Sequence, residues 1–340
     1  MKILQKILKT QSCSYQTERM SRTIKEILNH YNLSYTTDKV GNIYCTKGDA
    51  DLYPTMVAHI DTVHDINDNV VIQTIGTKYY AFDKVKMQQY GIGGDDKVGI
   101  FITIMCLLHY DNFKAVFFVD EEVGCIGSSA ADHSFFNDST IVLQCDRRGD
   151  TDFVTKIANV VLCNDDLLNV IRPILTHYER KEVTGGLTDV KTIAMHNDVQ
   201  VANMSCGYYN PHTDYEYIDM WDVYDTLAMC KEIFDATSHK RFTITDRIEA
   251  YSWTFNQPNT YYNYYNYNRH LYKPSQSLQN NPIKDINDDF EDDIIDFDSD
   301  IPTESTCKLC NAITHLDPYL DDYYCYDCQA YDYETIKYIS

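Results

Sequence analysis

The chain has 340 residues, a length that predicts two or three domains and excludes a single small module. Apolar residues make up 44% and charged residues 24%, which is ordinary for a folded protein and excludes wholesale disorder or a collagen-like fibre. The net charge of −22, from 51 acidic and 29 basic residues, argues against a general nucleic-acid binder and against adhesion to anionic membranes.

No apolar run approaches the roughly 18–20 residues needed to cross a bilayer, and lysines interrupt the short apolar stretch at the amino terminus. We therefore predict neither a membrane span nor a signal peptide. Without export, the twelve cysteines are expected to be reduced thiols and metal ligands rather than disulfides. These features favour a cytoplasmic protein.

Residues 1–240 alternate helix and strand patterns and are predicted to form one domain. Helical spacing of apolar residues predicts helices at 20–31, 97–110, 167–178 and 222–236. Short apolar runs predict strands at 42–46, 54–60, 115–120, 140–146 and 199–204. The alternation predicts an α/β fold, a mostly parallel sheet with helices on both faces.

Polar side chains occur where three of these strands end. His59 comes at the end of the second predicted strand, Glu121 and Glu122 follow the third, and Asp146 ends the fourth. Parallel sheets place ligands beyond the carboxyl ends of their strands. We therefore expect these imidazole and carboxylate groups to meet at one edge of the sheet.

Two short motifs near this edge suit metal binding. In His59-Ile60-Asp61, strand alternation sends both polar side chains to the same side, so that Asp61 can orient the imidazole ring. In Gly93-Gly94-Asp95, which precedes a predicted helix, Asp95 has two oxygens with which to bridge cations. Taken alone, His-x-Asp is common by chance, and the second motif is equally well interpreted as a helix cap.

Glu121 and Glu122 are adjacent carboxylates, whose mutual repulsion is costly unless cations or a shared proton relieve it. His212 follows the last predicted strand in a loop, where a surface histidine is the ordinary interpretation. The combined candidate ligands are two imidazoles and three carboxylates: His59, Asp95, Glu122, Asp146 and His212. This donor set suits a pair of Zn²⁺ ions that share one carboxylate.

Seven segments in residues 17–236 resemble, in their order, the co-catalytic zinc exopeptidases of the peptidase T and desuccinylase clan. These segments are GNIYCTKG, MVAHIDTVHD, GIGGDDKVGI, FFVDEEVGCIGS, LQCDRRG, TGGLTDV and YYNPHTDYEY. The resemblance implies the zinc exopeptidase fold, similar to that of phosphorylase-like hydrolases. It also implies amide hydrolysis by a hydroxide held between two zinc ions.

The resemblance further implies a role for each candidate ligand. His59 and Asp146 would bind one zinc ion, and Glu122 and His212 would bind the other. Asp95 would bridge both ions.

Two more roles follow from the same resemblance. Asp61 would orient His59, and Glu121 would be the general base that takes a proton from the bridging water. A turn that approaches the site in this family is matched by Gly185, Gly186, Thr188 and Asp189, which become candidates for substrate binding.

One departure from the family pattern concerns the lid. Members with the peptidase T architecture carry a lid or dimerisation domain between the Asp ligand and the Gly-Gly-x-Thr-Asp turn. Here only 38 residues separate Asp146 from Gly185, which is too few for such a domain. We expect a lidless site, similar to that of the single-domain zinc aminopeptidases.

The last hundred residues differ in composition. Residues 241–303 are predicted to be a flexible linker, Tyr- and Asn-rich and then acidic, with nine acidic side chains and no basic one between Asp285 and Asp300. Residues 304–340 contain two Cys-x-x-Cys pairs separated by fourteen residues, which predicts a zinc ribbon with one structural zinc. Its predicted ligands are Cys307, Cys310, Cys325 and Cys328. Because the ribbon is acidic, we expect a protein partner rather than nucleic acid.

The sequence therefore predicts a metallopeptidase with two catalytic zinc ions and one structural zinc ion, most specifically an aminopeptidase or small-peptide hydrolase. Two alternatives stay open. One is a deacylase or desuccinylase that cleaves an N-acyl amino acid, and the other is an inactive hydrolase that binds a protein through the zinc ribbon. We assign no chemistry to His64, His109 and His133, which have no candidate ligand at a suitable spacing.

Overall fold

The computed structural model describes residues 2–248 and, further on, the backbone of four short strands between residues 304 and 331. Residues 2–248 contain seven α-helices: α1 (Lys2–Lys9), α2 (Glu18–His30), α3 (Gly94–His109), α4 (Ile126–Ser129), α5 (Asp165–His177), α6 (Asp189–His196) and α7 (Met220–Thr237). They also contain fourteen strands: β1 (Tyr35–Thr37), β2 (Ile43–Lys47), β3 (Tyr53–His59), β4 (Val70–Ile75), β5 (Lys78–Asp83), β6 (Gln88–Tyr90), β7 (Phe113–Phe118), β8 (Ser139–Arg147), β9 (Asp152–Ile157), β10 (Val160–Val161), β11 (Lys181–Gly185), β12 (Val201–Ser205), β13 (Tyr208–Tyr209) and β14 (Tyr217–Asp219).

The main sheet has nine strands in the order β1-β2-β7-β3-β8-β12-β9-β10, with β11 paired to β9. The four central strands, β7, β3, β8 and β12, run parallel to one another. The predicted parallel α/β sheet is therefore confirmed at its centre. Towards its sides the sheet is mixed, since β1–β2 and β9–β10 are joined by short turns that permit only antiparallel pairing.

Apolar side chains on the two faces of the main sheet form two separate cores. Helices α1, α2, α3, α5 and α7 contribute to one core, and α6 and a 3-10 helix (His133–Phe136) contribute to the other. Strand β3 is buried along its whole length. A parallel strand covered on both faces is a continuous apolar run rather than an alternating one, as its sequence shows.

The carboxyl ends of β3, β7 and β8 lie next to one another in the main sheet. His59, the last residue of β3, is in register with Phe118, the last residue of β7. On the other side, Val57 of β3 pairs with Gln144 of β8, two residues before Asp146. The sheet thus brings three of the predicted polar segments to one edge.

A second sheet, which the sequence analysis did not predict, has the order β13-β14-β5-β4, with β6 paired to β5. It lies directly against the start of α3. A Cβ atom added at Gly94 would be 2.6 Å from Tyr208 Cβ and 3.1 Å from Ile218 Cγ1, so only glycine fits there. This close packing brings the β13–β14 loop, which carries His212, next to Asp95.

The segment between α1 and α2 runs along the residues that follow β3. Ser12 Oγ donates to the carbonyl of Ile60 at 2.7 Å, and Thr62 Oγ1 donates to the carbonyl of Ser12 at 2.7 Å. Ser14 Oγ donates to Asp61 Oδ2 at 2.7 Å. Residues 12–14 therefore support the chain just beyond His59.

The packed part of the chain continues past Arg241, where the first predicted domain ends. Phe242 is fully buried, and its backbone bonds both Thr140 (2.9 Å) and Gln200 (2.8 Å). Further along, Val161 N donates to the carbonyl of Arg247 at 2.8 Å. Residues 241–248 thus form part of the same packed unit.

The interval between Asp146 and Gly185 holds β9, β10, α5 and most of β11. Its three strands belong to the main sheet, and α5 packs against α7. These 38 residues form no lid.

Four short strands follow in the carboxyl-terminal part: β15 (Glu304–Thr306), β16 (Ile313–Asp317), β17 (Asp322–Cys325) and β18 (Ala330–Tyr331). They pair as an antiparallel sheet in chain order. Three predicted ribbon ligands, Cys307, Cys310 and Cys328, lie outside the described residues, and only the backbone of Cys325 is described. Most of the predicted linker also lies outside them. Among the described residues, no helix is long and apolar enough to cross a membrane.

Candidate metal centre

His59 is a buried imidazole at the end of β3, with 1% of its surface exposed. Its Nδ1 donates to the backbone carbonyl of Asp61 at 3.0 Å, and Asp61 Oδ1 lies 3.3 Å away. These contacts fix the ring and direct Nε2 towards Asp95 Oδ1 at 3.1 Å and Asp146 Oδ1 at 3.6 Å. The ring is therefore oriented as a metal-binding histidine requires.

Asp61 connects the ends of two neighbouring strands. Its carboxylate accepts the backbone N–H groups of Glu121 at 2.9 Å and Glu122 at 3.2 Å, besides the hydroxyl of Ser14. Burial alone would raise the pKa of Asp61, but the hydrogen bonds from His59, Ser14 and Glu121 N–H hold it below the usual value. Asp61 thus stays ionised and positions both glutamates relative to His59.

Asp95 lies at the start of α3, and its two carboxylate oxygens face two different imidazoles. Oδ1 is 3.1 Å from His59 Nε2, and Oδ2 is 3.2 Å from His212 Nε2. The alternative role as a helix cap falls to its neighbour, because Asp96 Oδ1 accepts the N–H of Gly99 at 3.0 Å. Asp95 is therefore free to bridge two positions.

Glu122 and His212 make up the other side of the centre. His212 Nε2 is 3.2 Å from Glu122 Oε1, a buried oxygen with no hydrogen-bond partner among the described residues. His212 lies on the β13–β14 loop with φ of 63°, and 51% of its side chain is exposed. The loop conformation, rather than a strand, brings this imidazole to the carboxylates.

Asp146 is held from behind by two polar side chains. Its Oδ2 accepts hydrogen bonds from Thr188 Oγ1 at 2.8 Å and from Gln144 Nε2 at 3.1 Å. Burial, together with repulsion from Asp95, raises the pKa of Asp146 to about 7. The other oxygen, Oδ1, faces His59.

The centre concentrates negative charge in a buried place. Burial and the neighbouring carboxylates raise the pKa of Glu121 well above its usual value. The carboxylates of Asp95 and Glu122, both close to its Nε2, raise the pKa of His212 to about 10. Burial opposes a charge on His59, but hydrogen bonds to three aspartates outweigh it and also raise its pKa. The surrounding carboxylates therefore favour the protonated form of both imidazoles.

The residues present fit a metal ion. His59, Asp95 and Glu122 each offer one ligand atom, and these three atoms lie within 4.8 Å of one another. Imidazole nitrogen and carboxylate oxygen are ordinary ligands of divalent zinc. Three acceptor atoms face the same small volume. They are Glu122 Oε1, which has no hydrogen-bond partner among the described residues, and the two oxygens of Asp95, each of which faces one imidazole.

The predicted Gly-Gly-x-Thr-Asp turn begins where β11 ends, at Gly185. Gly186 is exposed, whereas Thr188 and Asp189 are buried, and Thr188 contacts Asp146. Thr188 thus supports the carboxylate of Asp146, a predicted metal ligand, through a hydrogen bond. Contact of this turn with substrate stays a prediction.

Sequence reasoning missed two buried residues of the centre. Gln144 bonds Asp146, Asp189 and the hydroxyl of Thr188, and Glu216 accepts the N–H of Asp95 at 3.1 Å. Both lie inside segments that resemble the exopeptidases. Gln144 also lies two residues before Asp146 on β8, and that spacing places both side chains on one face of the strand.

The fold is shared with solved structures of peptidases. An aminopeptidase PepT from Bacillus cereus has a TM-score of 0.56 and 13% identity, over 69% of this chain and 97% of that chain. A tripeptidase from Staphylococcus aureus has a TM-score of 0.59 and 12% identity, over 70% of this chain and 98% of that one. An aminopeptidase from the archaeon Desulfurococcus kamchatkensis has a TM-score of 0.51 and 14% identity, over 71% and 94%.

No protein-family profile matches the sequence, and no curated protein is similar to it in sequence. The similarity therefore lies in three dimensions. The chain has the fold of these aminopeptidases and tripeptidases, which confirms for the fold the resemblance drawn from its sequence.

Proposed function

We propose that this protein is a metal-dependent peptidase, most specifically an aminopeptidase or small-peptide hydrolase that uses two zinc ions. One observation carries the proposal: the two oxygens of Asp95 face the Nε2 atoms of His59 and His212 at 3.1 and 3.2 Å. A carboxylate shared between two imidazoles is the arrangement expected of a bridging ligand in a two-metal site. The fold of known peptidases supports the same conclusion.

In this proposal, His59 and Asp146 would hold one ion, Glu122 and His212 would hold the other, and Asp95 would serve both. When bound, the two ions supply an activated water and polarise the carbonyl of the scissile amide. Asp61 keeps the ring of His59 in place through its carbonyl and carboxylate. Asp61 also fixes the backbone of Glu121, which leaves the Glu121 side chain available for proton transfer.

Glu121 is the proposed general base. Its carboxyl group is buried near Asp146 and Glu122, and both burial and this repulsion raise its pKa. A carboxyl group with a raised pKa can accept a proton from the attacking water and return it to the leaving amine near neutral pH. Cys125 Sγ, 3.5 Å from Glu121 Oε1, is a weak donor and leaves the second oxygen free.

The test is a panel of aminoacyl anilides, short peptides and N-acyl amino acids, assayed with the full chain and with Glu121→Gln. We expect peptide or anilide turnover that falls by about 10²–10⁴ in Glu121→Gln while metal content stays the same. Glu182→Gln, which changes an exposed carboxylate of β11, serves as the matched control. Full activity in Glu121→Gln would remove the residue from this role, and turnover of N-acyl amino acids alone would favour a deacylase.

We also propose a structural zinc ion and a protein partner for the carboxyl-terminal module. In sequence, both Cys-x-x-Cys pairs fall at connections of the antiparallel sheet: Cys307 and Cys310 between β15 and β16, and Cys325 and Cys328 between the end of β17 and β18. Metal analysis of the full chain should therefore return about three zinc ions, against two for the quadruple Cys→Ser variant.

A further inference from the structure

Glu216 is a buried carboxylate that belongs to none of the candidate ligands. Its side chain is fully buried at the end of the β13–β14 loop. Burying a carboxylate is costly unless hydrogen bonds and nearby donors compensate it. The contacts that compensate Glu216 therefore indicate what it does.

The carboxylate of Glu216 binds the turn that carries Asp95. Oε2 accepts the N–H of Gly93 at 2.7 Å, and Oε1 accepts the N–H of Asp95 at 3.1 Å. These N–H groups lie at the amino-terminal end of α3, where helix geometry provides no intrahelical acceptor. The two bonds, one to each oxygen, fix the backbone from which the Asp95 side chain extends.

A third contact comes from the segment after β3. His64 Nε2 lies 2.9 Å from Glu216 Oε2, and only 11% of the His64 side chain is exposed. The imidazole packs so closely on Gly91 that an added Cβ there would be 1.9 Å from His64 Cε1. Glu216 thus joins three separate segments of the chain: the one after β3, the turn before α3 and its own loop.

The same loop carries His212, four residues before Glu216. His212 reaches Asp95 through its side chain at 3.2 Å, while Glu216 reaches the backbone of Asp95 at 3.1 Å. The loop is therefore attached to the Asp95 turn at two points. The two attachments differ in burial. Half of the His212 side chain is exposed, whereas the Glu216 side chain is fully buried.

We propose that Glu216 is a positioning residue that fixes the His212 loop against the Asp95 turn and thereby assembles the second metal position. This inference rests on the proposed two-metal function. In the proposed site, Glu216 itself would touch neither metal nor substrate. It sets the distance between two ligands that the sheet does not place.

The test uses Glu216→Gln and Glu216→Asp in the full chain, with Asp214→Asn as matched control. Gln keeps the size of the side chain but turns an NH₂ group towards one of the two backbone N–H groups. Asp keeps the charge but is too short to reach both. Asp214 is an exposed carboxylate of the same loop, so its change controls for lost charge.

Stepwise zinc affinities are measured by competition with a chromophoric chelator, and Co²⁺-substituted protein is followed by its visible absorption. We expect the weaker of the two affinities to fall by about 10–100-fold in both Glu216 variants. The tighter affinity should fall less, because His59 and Asp146 are still held by the sheet although Asp95 serves both positions. Activity should return at high zinc concentration. Asp214→Asn should bind both ions as the wild type does.

Two results would overturn the inference. If Glu216→Asp folds and binds both zinc ions with wild-type affinities, Glu216 does not position the second metal position. If the variants melt at lower temperature and lose both affinities equally, without rescue by zinc, its role is general stability. Wild-type protein that binds no zinc would instead overturn the proposed function, and this inference with it.

Discussion

The two imidazoles of the candidate centre are held in opposite ways. His59 ends a buried central strand, is 1% exposed and has its ring fixed by Asp61. His212 lies on a loop and is half exposed, and its Nε2 lies 3.2 Å from the carboxylates of both Asp95 and Glu122. In the proposed two-metal site, the sheet would therefore build one position in advance, whereas a loop would complete the other. We expect the two positions to differ in affinity and in sensitivity to mutation.

The largest effect is expected at the position built by the sheet. His59→Ala removes a proposed ligand and its contacts with Asp95 and Asp146, so the tightly bound zinc and all measurable activity should be lost. Metal analysis after dialysis measures the loss of zinc, and a peptide-turnover assay measures the loss of activity. Tight zinc binding that persists in His59→Ala would contradict the assignment of this position to the sheet.

The loop position should be lost separately. His212→Ala removes a half-exposed side chain, so we expect a folded protein that keeps one tightly bound zinc ion, loses the other and has little activity. His196→Ala, which changes an exposed histidine at the end of α6, is the control. Equal loss of both ions from His59→Ala and His212→Ala would abolish the distinction between the two positions.

Protons should compete with zinc, and the direction follows from the raised pKa values. Ligands must be deprotonated to bind metal, and the pKa of His212 is raised to about 10 and that of Asp146 to about 7. Zinc binding near pH 8 should therefore release protons, and apparent affinity should fall on acidification, about tenfold per pH unit for each proton released. Calorimetry in buffers of different ionisation enthalpy measures the release. Binding without proton release would contradict the raised pKa values.

A smaller effect is expected from the support behind the sheet position. Thr188→Val removes the hydroxyl that bonds Asp146 Oδ2 at 2.8 Å, so zinc affinity at the His59 position should fall by about 10–100-fold. The loop position should change less. Thr184→Val, on an exposed residue of β11, is the control. If Thr188→Val instead lowered the zinc affinity of the loop position more than that of the His59 position, Thr188 would support the loop position.

What could be predicted from the sequence follows the same division. β3, β7 and β8 are apolar runs that end in polar residues, and the periodicity that marks them also places His59 and Asp146 at one edge. The second sheet was missed because β4 and its neighbours are partly exposed and lack a continuous apolar run. Glu216 was missed because nothing local marks an acidic loop residue as buried. Only the contacts with Gly93 and His64, more than a hundred residues away, reveal it.

The support that Ser12 and Ser14 give to the segment after His59 has a consequence for synthesis on the ribosome. The chain leaves the ribosome from its amino terminus, so this support emerges first and His212 emerges about two hundred residues later. A nascent chain that ends before His212 lacks one of the proposed ligands. In the proposed function, zinc would therefore fill both positions only after translation has passed the loop that ends at Glu216.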